Sequence, residues 1–80
     1  MQFQIHLREG GSFFVNAADF SEVREPLSEK EYVKTIVFHS HTGVKIAAIN
    51  SGLVQLVERV PFFEIQGEIV WRADQKGVSE

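Results

Sequence analysis

Apolar and polar residues alternate one by one near both ends of this chain, and that pattern restricts the fold more than any other feature. Phe3, Ile5 and Leu7 alternate with Gln4, His6 and Arg8. Further on, Phe63, Ile65, Gly67, Ile69 and Trp71 alternate with Phe62, Glu64, Gln66, Glu68, Val70 and Arg72. A two-residue period sends successive side chains to opposite faces of an extended strand, so each segment reads as a strand with one face on a core. Gly67 marks a bulge, a bend or a break in the second.

Turn signals set the order of what lies between. Glu9-Gly10-Gly11-Ser12 reads as a tight hairpin turn, and Phe13-Phe14-Val15 as the returning strand. Asn16 then suits a turn, because its side chain accepts from nearby backbone amides. Phe20 and Val23 stand three apart, which fits a short helical turn or a bent strand. The stretch from Glu25-Pro26 to Glu31 reads as a polar connection, with Pro26 holding Glu25 away from helix. The β-branched and aromatic run Tyr32-Val33-Lys34-Thr35-Ile36-Val37-Phe38 reads as a strand. His39-Ser40-His41-Thr42-Gly43 closes a second hairpin, and the strand returns from Val44 to Ile49.

The segment 44–60 carries two competing signals. Ile46, Ile49, Leu53, Leu56, Val57 and Val60 fall at helical spacing, with Thr42 as a cap before them and Pro61 just past the end. Asn50-Ser51-Gly52 is instead a natural turn, and a glycine inside a helix costs about 1 kcal/mol relative to alanine. A low-identity internal repeat favours strand, turn, strand. In each half a glycine hairpin precedes an Asn, apolar residues follow that Asn at the fourth and seventh positions, and a proline comes after (Asn16, Phe20, Val23, Pro26; Asn50, Val54, Val57, Pro61). The expected fold is therefore mostly β. It is a small antiparallel barrel or sandwich of about six strands with short helical turns, the alternative being α+β with one helix at 44–60. One domain over 1–72 is expected to end in a polar tail, 73–80.

Eighty residues hold one domain at most. A chain of this size buries only roughly 60% of the surface it exposes unfolded. There is no cysteine, so neither a disulfide nor a thiolate site is available. Seven phenylalanines, Trp71 and Tyr32 supply much of the area that a small core needs.

The formal net charge is −3, and Arg8, Arg24, Lys30, Lys34, Lys45, Arg59, Arg72 and Lys76 form no run. Both observations weigh against nucleic-acid binding by bulk electrostatics. No apolar stretch reaches the length of a membrane span. The first residues lack the basic and apolar regions of a signal peptide, so the expected location is the cytoplasm.

Few residues suggest chemistry. His39 and His41, two apart on a predicted strand, would face one side and approach a single ion, with His6 as a third ligand if its strand lies alongside. The plainer reading puts them at an exposed hairpin end. No serine stands in a nucleophile elbow, and the carboxylates are spread along turns. Gly10-Gly11-Ser12 lacks the lysine and following helix of a phosphate-binding loop. An enzyme is not expected, nor a cofactor.

The aromatic doublets stand out more. Adjacent strand residues face opposite sides, so Phe13-Phe14 and Phe62-Phe63 each need a second covering layer or leave a ring exposed. An exposed ring, with Trp71 or Val70 near it, would form a contact surface. Phe13, Phe14, Phe62, Phe63 and Trp71 are therefore the candidate binding residues. The strand that enters an Asn turn and leaves as a valine-rich strand, Ala48-Ile49-Asn50 through Val54-Gln55-Leu56-Val57-Glu58, resembles many small β-rich bacterial and phage accessory proteins. That resemblance implies no functional residue.

The expected function is a non-catalytic accessory module, of phage or mobile-element type, that binds a partner protein or itself. One alternative is a small-barrel nucleic-acid binder that stacks bases on Phe13, Phe14, Phe38, Phe62, Phe63 and Trp71, with Lys34, Lys45, Arg59 and Arg72 for phosphate. Another is a metal-binding domain using His6, His39 and His41.

Overall fold

A computed structural model describes residues 1–61 and 67–73. Strand β1 (Gln2–Leu7) follows the alternation at the start of the chain and turns through Gly10 and Gly11 into β2 (Ser12–Asn16). The chain continues as β3 (Asp19–Pro26), β4 (Tyr32–His39) and β5 (Lys45–Asn50). A single 3-10 turn, Ser51–Leu53, leads to β6 (Val54–Val60), and β7 (Glu68–Arg72) follows. All the pairings are antiparallel. One sheet has the order β2-β1-β6-β7 and the other β3-β4-β5.

The fold is thus mostly β, with seven described strands where the sequence suggested about six. The two sheets pack as a sandwich and do not close into a barrel. The helix considered for 44–60 is absent: β5, the 3-10 turn and β6 occupy that segment. The physical reason lies at Asn50. Its side chain accepts the Gly52 amide at 2.7 Å, and the chain turns there from one sheet to the other. The Phe20–Val23 segment is also extended. Phe20 lies opposite Phe38 and Val23 opposite Thr35, so the two side chains face opposite sides of β3.

The repeat read in the sequence matches the topology. Each half builds a hairpin in one sheet, passes an Asn, and gives its next strand to the other sheet. β1 and β2 are followed across the sandwich by β3; β4 and β5 are followed across it by β6. Both turns use one hydrogen-bond scheme. The Leu7 amide donates to the Gly11 carbonyl (3.0 Å) and the Gly10 amide to the Leu7 carbonyl (3.1 Å). Likewise the Ser40 amide donates to Val44 (2.8 Å) and the Gly43 amide to Ser40 (2.9 Å). The hairpin registers match as well: Phe3 opposite Val15 and Ile5 opposite Phe13 correspond to Ile36 opposite Ile49 and Phe38 opposite Ala47.

The core lies between the sheets. Phe3, Ile5, Val15, Val54 and Val57 come from one sheet, and Ile36 and Phe38 from the other. Three rings join the layers, with Phe3 5.5 Å from Phe20 and 5.6 Å from Phe38, centroid to centroid. These separations suit tilted and edge-on contacts, which add to the area the rings bury. β4 is central in its sheet, and Thr35, Ile36, Val37 and Phe38 are all buried. Ile36 and Phe38 join the core cluster, so Thr35 and Val37 lie on the opposite face of the strand.

Candidate functional site

The strand order places β2 at a rim of the four-stranded sheet. Its doublet straddles that rim. Phe13 lies opposite Ile5 on the inner face, yet it is 38% exposed, and no described strand lies beyond it in the sheet. Phe14 lies opposite Gln4 on the outer face and is 54% exposed. Around Phe14 the outer face is polar, and the Gln4 amide donates to the Ser12 hydroxyl at 3.0 Å.

β2 differs from the other rim strands in charge. β3 carries Asp19, Glu22, Arg24 and Glu25, and ends on Pro26. β5 begins with Lys45, and β7 is bounded by Glu68 and Arg72. β2 reads Ser-Phe-Phe-Val-Asn, with no charge and no proline. Charges and prolines are the usual means by which a sheet edge discourages further pairing. β2 has neither.

Trp71 stands on β7, at the opposite rim of the same sheet, with β1 and β6 between it and β2. It lies opposite Val57, packs half-buried against the core, and makes a long hydrogen bond from its indole nitrogen to Glu22 (3.5 Å). The sheet therefore does not gather Phe13, Phe14 and Trp71 into one patch. Phe62 and Phe63 lie outside the described residues. Phe38, considered for base stacking, is 1% exposed in the core and offers no face to a ligand. Arg59 pairs with Glu68 across β6 and β7.

The histidines do not converge. β4 ends at His39, and His41 lies in the turn beyond it, so the expected placement of both on one strand face is not met. β1 neighbours β2 and β6 rather than β4, so His6 is in the other sheet. The Glu58 carboxylate accepts from His6 Nε2 at 2.6 Å, and Asp19 lies 3.6 Å from His39 Nδ1. Among the described residues no group of three metal-ligating side chains comes together.

A second feature arises where four chain segments meet at one end of the sandwich. Arg8, Tyr32, Lys34, Asn50, Ser51 and Trp71 line an open cleft of about 280 Å³. Arg8 is held there by its own backbone amide on the Leu53 carbonyl (3.0 Å) and by its Nε on the Val54 carbonyl (3.3 Å). The Arg24 guanidinium covers Tyr32 at 4.3 Å from the ring centroid. Ser51 is 4% exposed, and its hydroxyl has no hydrogen-bond partner among the described residues. Sequence reading singled out only Trp71 and Lys34 of this set. Arg8, Tyr32 and Ser51 are too far apart along the chain to form a local pattern.

No helix among the described residues is long and apolar enough to cross a membrane. No family model matches the chain, no curated protein matches it in sequence, and no solved structure matches it in fold.

Proposed function

We propose that this domain is a non-catalytic binding module that recognises a partner protein through rim strand β2. The observation that supports this reading is the pairing of an uncharged rim strand with an exposed aromatic on it. A partner segment laid alongside β2 would take up the outward backbone groups of the strand, and its side chains would meet Phe13 on one face and Phe14 on the other. Strand addition of this kind draws affinity from main-chain hydrogen bonds and specificity from alternate side chains. An aromatic anchor at the centre of such a contact commonly carries a large share of the binding energy.

The test is capture from a nuclease-treated lysate at high salt, run in parallel with the wild-type chain and the Phe14→Ser variant. A discrete protein retained by the first and lost by the second is the expected result. Equal retention by both would remove β2 from the contact. Recovery of nucleic acid alone, lost as salt rises, would replace the reading with an electrostatic one.

A further inference from the structure

We infer that the strand laid against β2 is the β2 strand of a second copy of this chain, paired antiparallel about a two-fold axis at Phe14. This inference rests on the reading of β2 as the recognition strand and names its partner.

The hydrogen bonds of the first hairpin decide which backbone groups are on offer. The Leu7 amide donates to the Gly11 carbonyl and the Ala17 amide to the Met1 carbonyl, at the two ends of the β1–β2 pairing. Bonded pairs alternate along an antiparallel ladder, so Ile5–Phe13 and Phe3–Val15 are the bonded pairs between those ends. The backbone groups of Ser12, Phe14 and Asn16 therefore point away from β1, out of the rim. Their natural centre is Phe14. Pairing two copies about that centre sets Phe14 opposite Phe14 of the second copy, with Ser12 opposite Asn16 on either side. Each of these pairs is of the bonded kind and exchanges both N–H···O bonds. The side chains match as well. The two Phe14 rings meet on the outer face, and Phe13 of each copy meets Val15 of the other on the inner face. Aromatic pairs and aromatic–β-branched pairs are favourable cross-strand neighbours. The two four-stranded sheets become one continuous sheet.

Charge and preorganisation select a second copy over a foreign peptide. Rim β7 lies over rim β3, since the Trp71 indole reaches Glu22. Rim β2 accordingly shares the other edge of the sandwich with β5, and Leu7 and Gly10 share a groove with Ile49 there. The strands of the β3–β7 edge carry Asp19, Glu22, Arg24, Glu25, Glu68 and Arg72, whereas those of the β2–β5 edge carry Lys45 alone. Two copies of a chain of net charge −3 repel least at such an edge. A second β2 is also already extended, so pairing it avoids the chain ordering that a flexible peptide requires. That saving matters in a contact only five residues long. A strand of that length spans roughly 17 Å, and the contact is far smaller than the roughly 800 Å² per partner of a standard interface. The dimer is therefore expected to be weak, with a Kd between about 1 µM and 1 mM.

Sedimentation velocity of the full chain from about 1 µM to 1 mM measures the association. The expected result is a reversible monomer–dimer equilibrium. Phe14→Lys should weaken it at least about tenfold, because the axis sets two ammonium groups opposite each other in place of two rings. Phe14→Tyr should stay within about threefold of the wild type. Disulfides read the register, since the chain has no cysteine of its own. Ser12→Cys mixed with Asn16→Cys should give a mixed disulfide in a glutathione buffer, across a pair about 5.5 Å apart. Neither variant should bridge alone, because the axis holds its two copies four residues, about 14 Å, apart. A chain that stays monomeric at about 1 mM, a dimer that Phe14→Lys leaves at wild-type affinity, or disulfides formed equally by the single variants overturns the inference. If Phe14→Lys fails to fold by circular dichroism, the disulfide pattern decides. A monomeric chain that still retains a foreign protein, lost with Phe14→Ser, overturns the second copy alone and leaves β2 as the recognition strand. A dimer indifferent to Phe14→Lys, with no captured protein lost with Phe14→Ser, removes both.

Discussion

The side-chain oxygen of Asn50 accepts the backbone amide of Gly52 at 2.7 Å, where the chain leaves the three-stranded sheet for the four-stranded one. The bond satisfies an amide at the start of the 3-10 turn and fixes the direction of β6. Asn50→Ala should therefore cost about 1 kcal/mol, the usual loss when a capping oxygen is removed, while Asn50→Asp keeps the acceptor and should cost less. Urea unfolding followed by circular dichroism measures both, and equal losses in the two variants would detach the effect from the bond.

Gly43 closes the β4–β5 hairpin at φ +86°, a conformation that a β-carbon makes costly. The space around it is open, so strain in the backbone is the whole effect. Gly43→Ala should destabilise the domain by about 1–2 kcal/mol, and Gly43→Asn by less, because asparagine tolerates this region. The same unfolding experiment checks the ranking.

Much of the fold was legible because its signals are local. The alternation of Phe3, Ile5 and Leu7, the Gly10-Gly11 turn and the β-branched run before His39 each specify a strand or hairpin within a few residues. The repeat around Asn16 and Asn50 pointed to strands over 44–60, where the spacing of apolar residues alone also allowed a helix. β3 was harder to read. It is a rim strand with most of its side chains in solvent, so it has no strict apolar alternation; Phe20 and Val23, three apart, fitted a short helical turn as well as a bent strand, and Glu25-Pro26 read as the start of a connection. The candidate sites were less legible still. Only the order β2-β1-β6-β7 shows that Phe14 and Trp71 stand at opposite rims. Only the packing of four distant segments brings Arg8, Tyr32, Ser51 and Trp71 to one cleft.

His6 and Glu58 join β1 to β6 on the outer face of the four-stranded sheet, 2.6 Å apart and partly buried. A double-mutant cycle with His6→Gln and Glu58→Gln should give a coupling of about 0.2–1 kcal/mol, the range of cross-strand polar pairs. Additive losses would mean that the two side chains act separately.

Phe38 is the largest of the fully buried side chains and contacts both Phe3 and Phe20. Phe38→Ala should cost about 3–5 kcal/mol, whereas Ile5→Val, which removes one methyl from an equally buried site, should cost about 0.5–1.5 kcal/mol. A single core in a chain of about this size rarely supplies more than about 3–5 kcal/mol of stability, so the first variant is expected to be largely unfolded at physiological temperature and the second folded. Thermal melts of the two variants, followed by circular dichroism, make the comparison.

The most direct test of β2 as the recognition strand is amide hydrogen exchange of the domain, free and bound to the partner it captures. Strand addition predicts strong new protection across Ser12–Asn16, with little change at the β3, β5 and β7 rims. Protection confined to another rim, with Ser12–Asn16 exchanging as in the free domain, would contradict it.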